Sequence, residues 1–363
     1  MTIHGGDVWQ VSEELGIRVS EILDFSANIN PRGLPLRARQ RLARDAADSR
    51  LLSLYPDPSA RSLREALSGQ IGVPADAIVV GPGAESLLAP ILRSLRPQRA
   101  LVPIPAFSEY RRVCEQLHIE FVPFLLARAD WFRVPVDRLS NSIGAERCGL
   151  ALLNNPHNPS GATLAPQEIR GVRDVVNSLG ATLLVDEAFV DYVPQASLVH
   201  DAAARRGLIV VRSLTKFYGC PALRVGYAVA HPEVVGQISA LLPTWPVTQL
   251  AIDALTEAIA DREYAETSLQ ENAIERERLG ESLRALGLVV FPSSANYLFL
   301  ELAEGMREAA ELRQALVRKH GILIRNCDSY EGLRPGRYIR VALRSATEND
   351  RLIHALGDEL RRS

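Results

Sequence analysis

Lys216 stands three residues after Ser213 and eight before Arg224, in a segment that continues to Val225-Gly226. A hydroxyl and a guanidinium so spaced can hold one phosphate while the amine between them reaches an aldehyde on the same ligand. Pyridoxal phosphate (PLP) carries both groups, and a lysine that forms a Schiff base with it does carbonyl chemistry. A lone lysine is ordinarily a solvated surface residue; Ser213, Arg224 and Gly226 set this one apart. Thirty residues upstream, Asp186 follows the apolar run 181–185. From a strand end its carboxylate would pair with the pyridine nitrogen and keep it protonated, although an Asp there is also a common helix cap. Gly83, Ala84 and Glu85 precede a helix, and their backbone N–H groups suit the cofactor phosphate; glycine turns of this kind are, however, commonplace.

The elements that must position these groups follow from the apolar pattern. Short apolar runs at 78–80, 100–102, 149–153, 181–185 and 207–211 alternate with helical stretches. That alternation predicts an α/β fold, with a mostly parallel sheet covered by helices on both faces. Such sheets bind ligands beyond the carboxyl ends of their strands, where these motifs fall. Ahead of the sheet the pattern predicts a short helix over 8–15 and an extended arm over 23–31 (LDFSANINP). Pro243-Thr244-Trp245-Pro246 reads as a hinge, followed by one long charged helix over 248–286. Strands near 288–291, 297–300, 322–325 and 338–343, with helices near 308–320 and 348–361, predict a smaller α+β domain. The expected division is 1–45 for the arm and part of the small domain, 46–245 for the large domain and 246–363 for the small one.

Composition narrows the function classes. At 363 residues the chain exceeds a typical single domain, and its net charge of −2 offers no field to attract nucleic acid or an anionic membrane. The four cysteines form no CxxC or metal-like cluster, which argues against a metal site and for a reducing, cytoplasmic setting. The first residues lack a signal pattern, and no apolar run approaches the ~20 residues needed to span a bilayer.

Taken together, the Asp186 and Lys216 segments resemble fold-type-I PLP enzymes of the aminotransferase superfamily, and the histidinol-phosphate aminotransferase-like group in particular. The resemblance covers nearly the whole chain and implies further roles. Asn158, in Asn155-Pro156-His157-Asn158-Pro159, would meet the phenolic oxygen of the cofactor ring, and Phe107 would stack on the ring. Arg340, in Tyr338-Ile339-Arg340-Val341, would grip the substrate carboxylate; a strand arginine among apolar neighbours could equally be inert. Tyr55, in Leu54-Tyr55-Pro56, would reach the cofactor phosphate of a partner subunit, which implies a homodimer with shared sites. His157 receives no role. The arm is more particular: His4-Gly5-Gly6 with 23–31 is similar to the start of the L-threonine-O-3-phosphate decarboxylase family of cobalamin biosynthesis. That family converts L-threonine O-3-phosphate to (R)-1-amino-2-propanol O-2-phosphate. The likeness implies a PLP-dependent carboxy-lyase whose substrate phosphate meets His4, Asn28, Asn30 and Arg325. The alternative is an aminotransferase acting on histidinol phosphate or a related amino acid. Phe189 stands where many aminotransferases have Tyr, which removes one hydroxyl near the cofactor's ring oxygen.

Overall fold

The computed structural model describes residues 4–360. Among them, seven strands form the main sheet, in the spatial order Ile78–Gly81, Gly226–Val229, Leu208–Ser213, Thr182–Asp186, Leu150–Asn154, Arg99–Ile104 and Glu120–Leu125. Six run parallel, and Gly226–Val229 runs against both its neighbours. Side chains alternate between the faces: Leu183, Val185 and Val210 join the apolar cluster on one side, and Leu184, Ile209 and Val211 the cluster on the other. Both faces are dry, which is why these strands appear in the sequence as unbroken apolar runs.

A smaller antiparallel sheet follows, ordered Arg325–Asn326, Tyr338–Ala342, Tyr297–Glu301 and Val289–Val290. Helices Ala309–His320 and Ala346–Glu359 pack Leu312, Leu316 and Leu352 against Leu300 and Ile339. The arm joins this unit, for Leu23–Asp24 pairs in parallel with Ile322–Leu323.

Two expectations are corrected. The helix predicted over 248–286 is two helices, Gln249–Ile259 and Arg262–Ala285. Asp261 lies between them and accepts the Tyr264 N–H at 3.0 Å, an N-cap that starts a helix afresh. The first helix packs on Leu36–Ala47 and Arg61–Ile71 and buries Ile252 and Leu255 in the core beneath the large sheet. A boundary at 245 therefore cuts a packed unit, and the chain turns to the small sheet only with the second helix. The strand expected over 322–325 is likewise divided: Ile322–Leu323 serves the arm, and Arg325–Asn326 the small sheet. Among the described residues, no helix is long and apolar enough to cross a membrane.

Candidate active site

A cavity of about 390 Å³ opens at the carboxyl ends of the parallel strands. One corner of it lies after Ile78–Gly81, at Gly83, Ala84 and Glu85. Gly83 adopts φ +102° and opens the helix Ala84–Leu95 without a side-chain cap, so the first N–H groups of that helix are left to a ligand. The Glu85 carboxylate is already paired with Arg112 at 2.9 Å, which leaves its backbone as the group of interest. A Cβ on Gly83 would lie 3.0 Å from the Arg224 guanidinium, and one on Gly226 would strike the Ala84 nitrogen at 2.3 Å. These glycines let the reversed strand press Arg224 and the turn together. Ser213 completes the corner with Thr215, their hydroxyls 2.8 Å apart.

Neighbouring strand ends supply the rest. Asn154 and Asp186 are register partners in adjacent parallel strands, and the Asn154 amide donates to the Asp186 carbonyl at 2.8 Å. The Asn154 side-chain oxygen accepts the Asn158 N–H at 2.7 Å, fixing the loop that presents Asn158. The Asp186 carboxyl accepts from Tyr110 Oη at 2.6 Å and from the Ala188 N–H at 2.9 Å. Burial raises its pKa while both donors work against that rise. Phe107 stands half-buried at the head of the helix Ser108–Gln116, edge-on to Tyr110. Lys216 projects its amine into the same space; loss of water around it, followed by the nearby Arg340 and Arg224 cations, lowers its pKa to about 8.

The small sheet and the arm close the other side. Arg325 and Arg340 are register partners on adjacent strands, both buried and both lining the cavity. Arg340 donates to Asn158 Oδ1 at 2.5 Å, to Tyr330 Oη at 3.1 Å and to the Ser26 carbonyl at 3.0 Å. Arg325 donates to Ser329 at 2.7 Å, and its Nη1 has no partner among the described residues. The Asn28 side-chain oxygen, also buried in this wall, has none among them either. His4 lies 2.9 Å from the Glu109 carboxylate and tilts against Phe107. Gly5 is required where it stands, since a Cβ there would meet the Ser26 carbonyl at 2.1 Å.

Two predicted residues lie elsewhere. Asn30 is not in the cavity wall: its amide is spent on the Phe217 carbonyl at 2.8 Å and Ser268 at 2.9 Å, so it ties the arm to the lysine-bearing helix and has no donor left for a substrate. Tyr55 is 77% exposed and stacks on Trp245 with ring centroids 4.1 Å apart, outside the cavity of its own chain. The sequence reading missed Tyr110, Asn154, Thr215 and Tyr330. Of these, Asn154 left a signal, being a polar residue that ends an apolar strand as Asp186 does.

These residues suit PLP. The wall offers cationic and N–H donors at one corner, a buried carboxylate for a ring nitrogen, and an amine of lowered pKa between them. A cavity of this kind on this sheet is that of a fold-type-I PLP-dependent enzyme. The chain belongs to the aminotransferase class I and II family, whose model matches residues 20–356, and its cofactor is pyridoxal phosphate. Over 360 residues it is 34% identical to the threonine-phosphate decarboxylase of Salmonella typhimurium, covering 98% of this chain and 96% of that one. It is 32% identical to the adenosylcobalamin biosynthesis bifunctional protein CobDQ of Leptospira interrogans, covering 98% of this chain but spanning only 41% of that longer protein. Its fold matches the histidinol-phosphate aminotransferase of Sinorhizobium meliloti, solved with pyridoxal-5'-phosphate, at a TM-score of 0.87 and 22% identity, with 98% and 95% of the two chains covered.

Proposed function

We propose that this enzyme decarboxylates L-threonine O-3-phosphate to (R)-1-amino-2-propanol O-2-phosphate, a step of cobalamin biosynthesis. The observation that carries the reading is the pair of buried guanidiniums, Arg325 and Arg340, set side by side in one wall against the arm. Two fixed cations in a small cavity suit a substrate with two anionic ends. The 34% identity to a threonine-phosphate decarboxylase supports the same substrate class.

Bound PLP supplies an electron sink for the pair left at the substrate's α-carbon. The protein's part is to hold the cofactor and to choose the bond that breaks. Gly83, Ala84 and Glu85 (through their backbone), Ser213 and Arg224 hold the cofactor phosphate; Asp186 pairs with its ring nitrogen, Asn158 with its ring oxygen, and Phe107 stacks on its face. Arg340 holds the substrate carboxylate, exchanging its contact with Asn158 for it. Arg325, Asn28 and His4 hold the substrate phosphate. Anchored at both ends by these residues, the substrate would be held so that its carboxylate, rather than its α-hydrogen, is the group lost, leaving as CO₂. Lys216, with its pKa near 8, then delivers a proton to the α-carbon where the carboxylate was. We take the working unit to be a homodimer in which Tyr55 of the partner subunit completes the phosphate corner.

The test is incubation with L-threonine O-3-phosphate, following CO₂ release and, separately, amino transfer to 2-oxoglutarate. CO₂ without a keto-acid requirement is expected. Absence of CO₂, with glutamate formed from histidinol phosphate, would make the enzyme an aminotransferase.

A further inference from the structure

The first turn of the helix Ser108–Gln116 carries a group that no motif announced. Tyr110 is 1% exposed, and its hydroxyl lies 2.6 Å from Asp186 Oδ2. The other carboxylate oxygen takes the Ala188 N–H at 2.9 Å. We infer that Tyr110 is a positioning residue for the cofactor's pyridine nitrogen, acting through Asp186 by holding its carboxylate ionised and correctly rotated. The inference rests on Asp186 as the ring-nitrogen partner and is independent of which bond the enzyme breaks.

The argument is one of charge and supply. Asp186 is 8% exposed, at a depth where a carboxyl group tends to keep its proton. Donors on both oxygens, together with the nearby Lys216 amine, favour ionisation there. Ala188 serves one through the backbone; Tyr110 is the side-chain donor on the other. Burial and the adjacent carboxylate push the Tyr110 phenol well above its usual range, so it donates its hydrogen at every working pH and never competes as an anion. Its ring is held in turn by the edge-on contact with Phe107, at 5.7 Å between centroids. One helical turn thus sets both the stacking face and the acidity of the group expected at the ring nitrogen.

Tyr110→Phe removes the hydroxyl and little volume. In cofactor-free protein, infrared titration should find the Asp186 carboxyl protonating about one to two pH units higher than in the wild type. The new protonated-carboxyl band should be absent from Tyr110→Phe/Asp186→Asn. In the loaded enzyme, kcat for whichever substrate is turned over should fall about 10- to 100-fold with KM little changed. In the Asp186→Asn background the tyrosine substitution should cost almost nothing further. An unshifted Asp186 titration, or equal losses in both backgrounds, would reduce Tyr110 to a packing residue. If Tyr110→Phe folds poorly, Tyr110→His, which keeps a ring donor, should restore part of kcat; failure to do so in folded protein also overturns the inference. Full activity in Asp186→Asn alone would remove Asp186 from its role, an outcome distinct from either.

Discussion

Lys216 and the paired arginines carry the sharpest expectations of single residues. The Lys216 pKa lies near 8, against 10.5 for an ordinary lysine, because its amine has lost water and lies near the Arg340 and Arg224 guanidiniums. In cofactor-stripped enzyme, its reaction with a small acylating reagent should therefore be half-maximal near pH 8, as mass spectrometry of the labelled peptide would show. Surface amines should label only at higher pH, near the free-lysine range. Arg325→Gln leaves the fold of its strand but withdraws a charged donor, so KM for the phosphorylated substrate should rise roughly 10- to 100-fold. PLP absorbance should be unchanged, and steady-state kinetics beside a spectrum decides both points. At this scale the sequence was legible wherever a residue's role lies in its own neighbourhood, as with Lys216 between Ser213 and Arg224. It was illegible where two residues meet only through folding: Tyr110 and Asp186 are 76 positions apart, and a tyrosine on an amphipathic helix resembles any other core aromatic. Asn30 misled for the same reason, since its partners Phe217 and Ser268 lie 187 and 238 positions away.

Among the elements, the loop that presents Asn158 depends on an interior histidine. His157 Nε2 donates to the Pro105 carbonyl at 2.9 Å, which leaves Nδ1 to accept from the Ser160 hydroxyl at 2.7 Å. This staple joins the Asn158 loop to the loop that carries Phe107, and burial favours its neutral ring. Burial lowers the His157 pKa from 6.5 to about 4. The unfolded chain therefore takes up a proton at a higher pH than the folded one. The His157 contribution to stability is complete above pH 6.5, falls as the pH drops through the window between 6.5 and about 4, and amounts to a loss of up to ~3 kcal/mol below it. His157→Gln should flatten that part of the acid-unfolding profile, measured as urea midpoints against pH. Strand positions were readable because both sheet faces are buried and every residue is apolar. The break at Asp261 shows in the sequence only as a cap, because no glycine or proline stands near it to end the first helix.

For the molecule as a whole, one surface of the large unit is marked. Tyr55 and Trp245 are stacked yet exposed, and Leu52 and Leu54 beside them are also exposed. If this face meets a second copy, the enzyme should sediment at twice 39.8 kDa. Tyr55→Ala should then weaken PLP retention without altering turnover of the fully loaded sites, as equilibrium dialysis alongside sedimentation would establish. The overall architecture could be anticipated from alternating apolar runs, but the attachment of the arm could not, because Leu23–Asp24 finds its partner strand some 300 residues later. That attachment has a mechanical consequence. The chain crosses between the large and small units twice, once through the arm and once through the helix Arg262–Ala285. The two units also share packing, for Phe132 meets Phe299 and Tyr338 of the small sheet. Beside the arm's crossing, the Asn30 N–H holds the Lys216 carbonyl at 3.0 Å. The backbone of the reactive lysine is thus tied to the arm, and through the arm's strand pairing to the small sheet, so strain in either is felt at the amine.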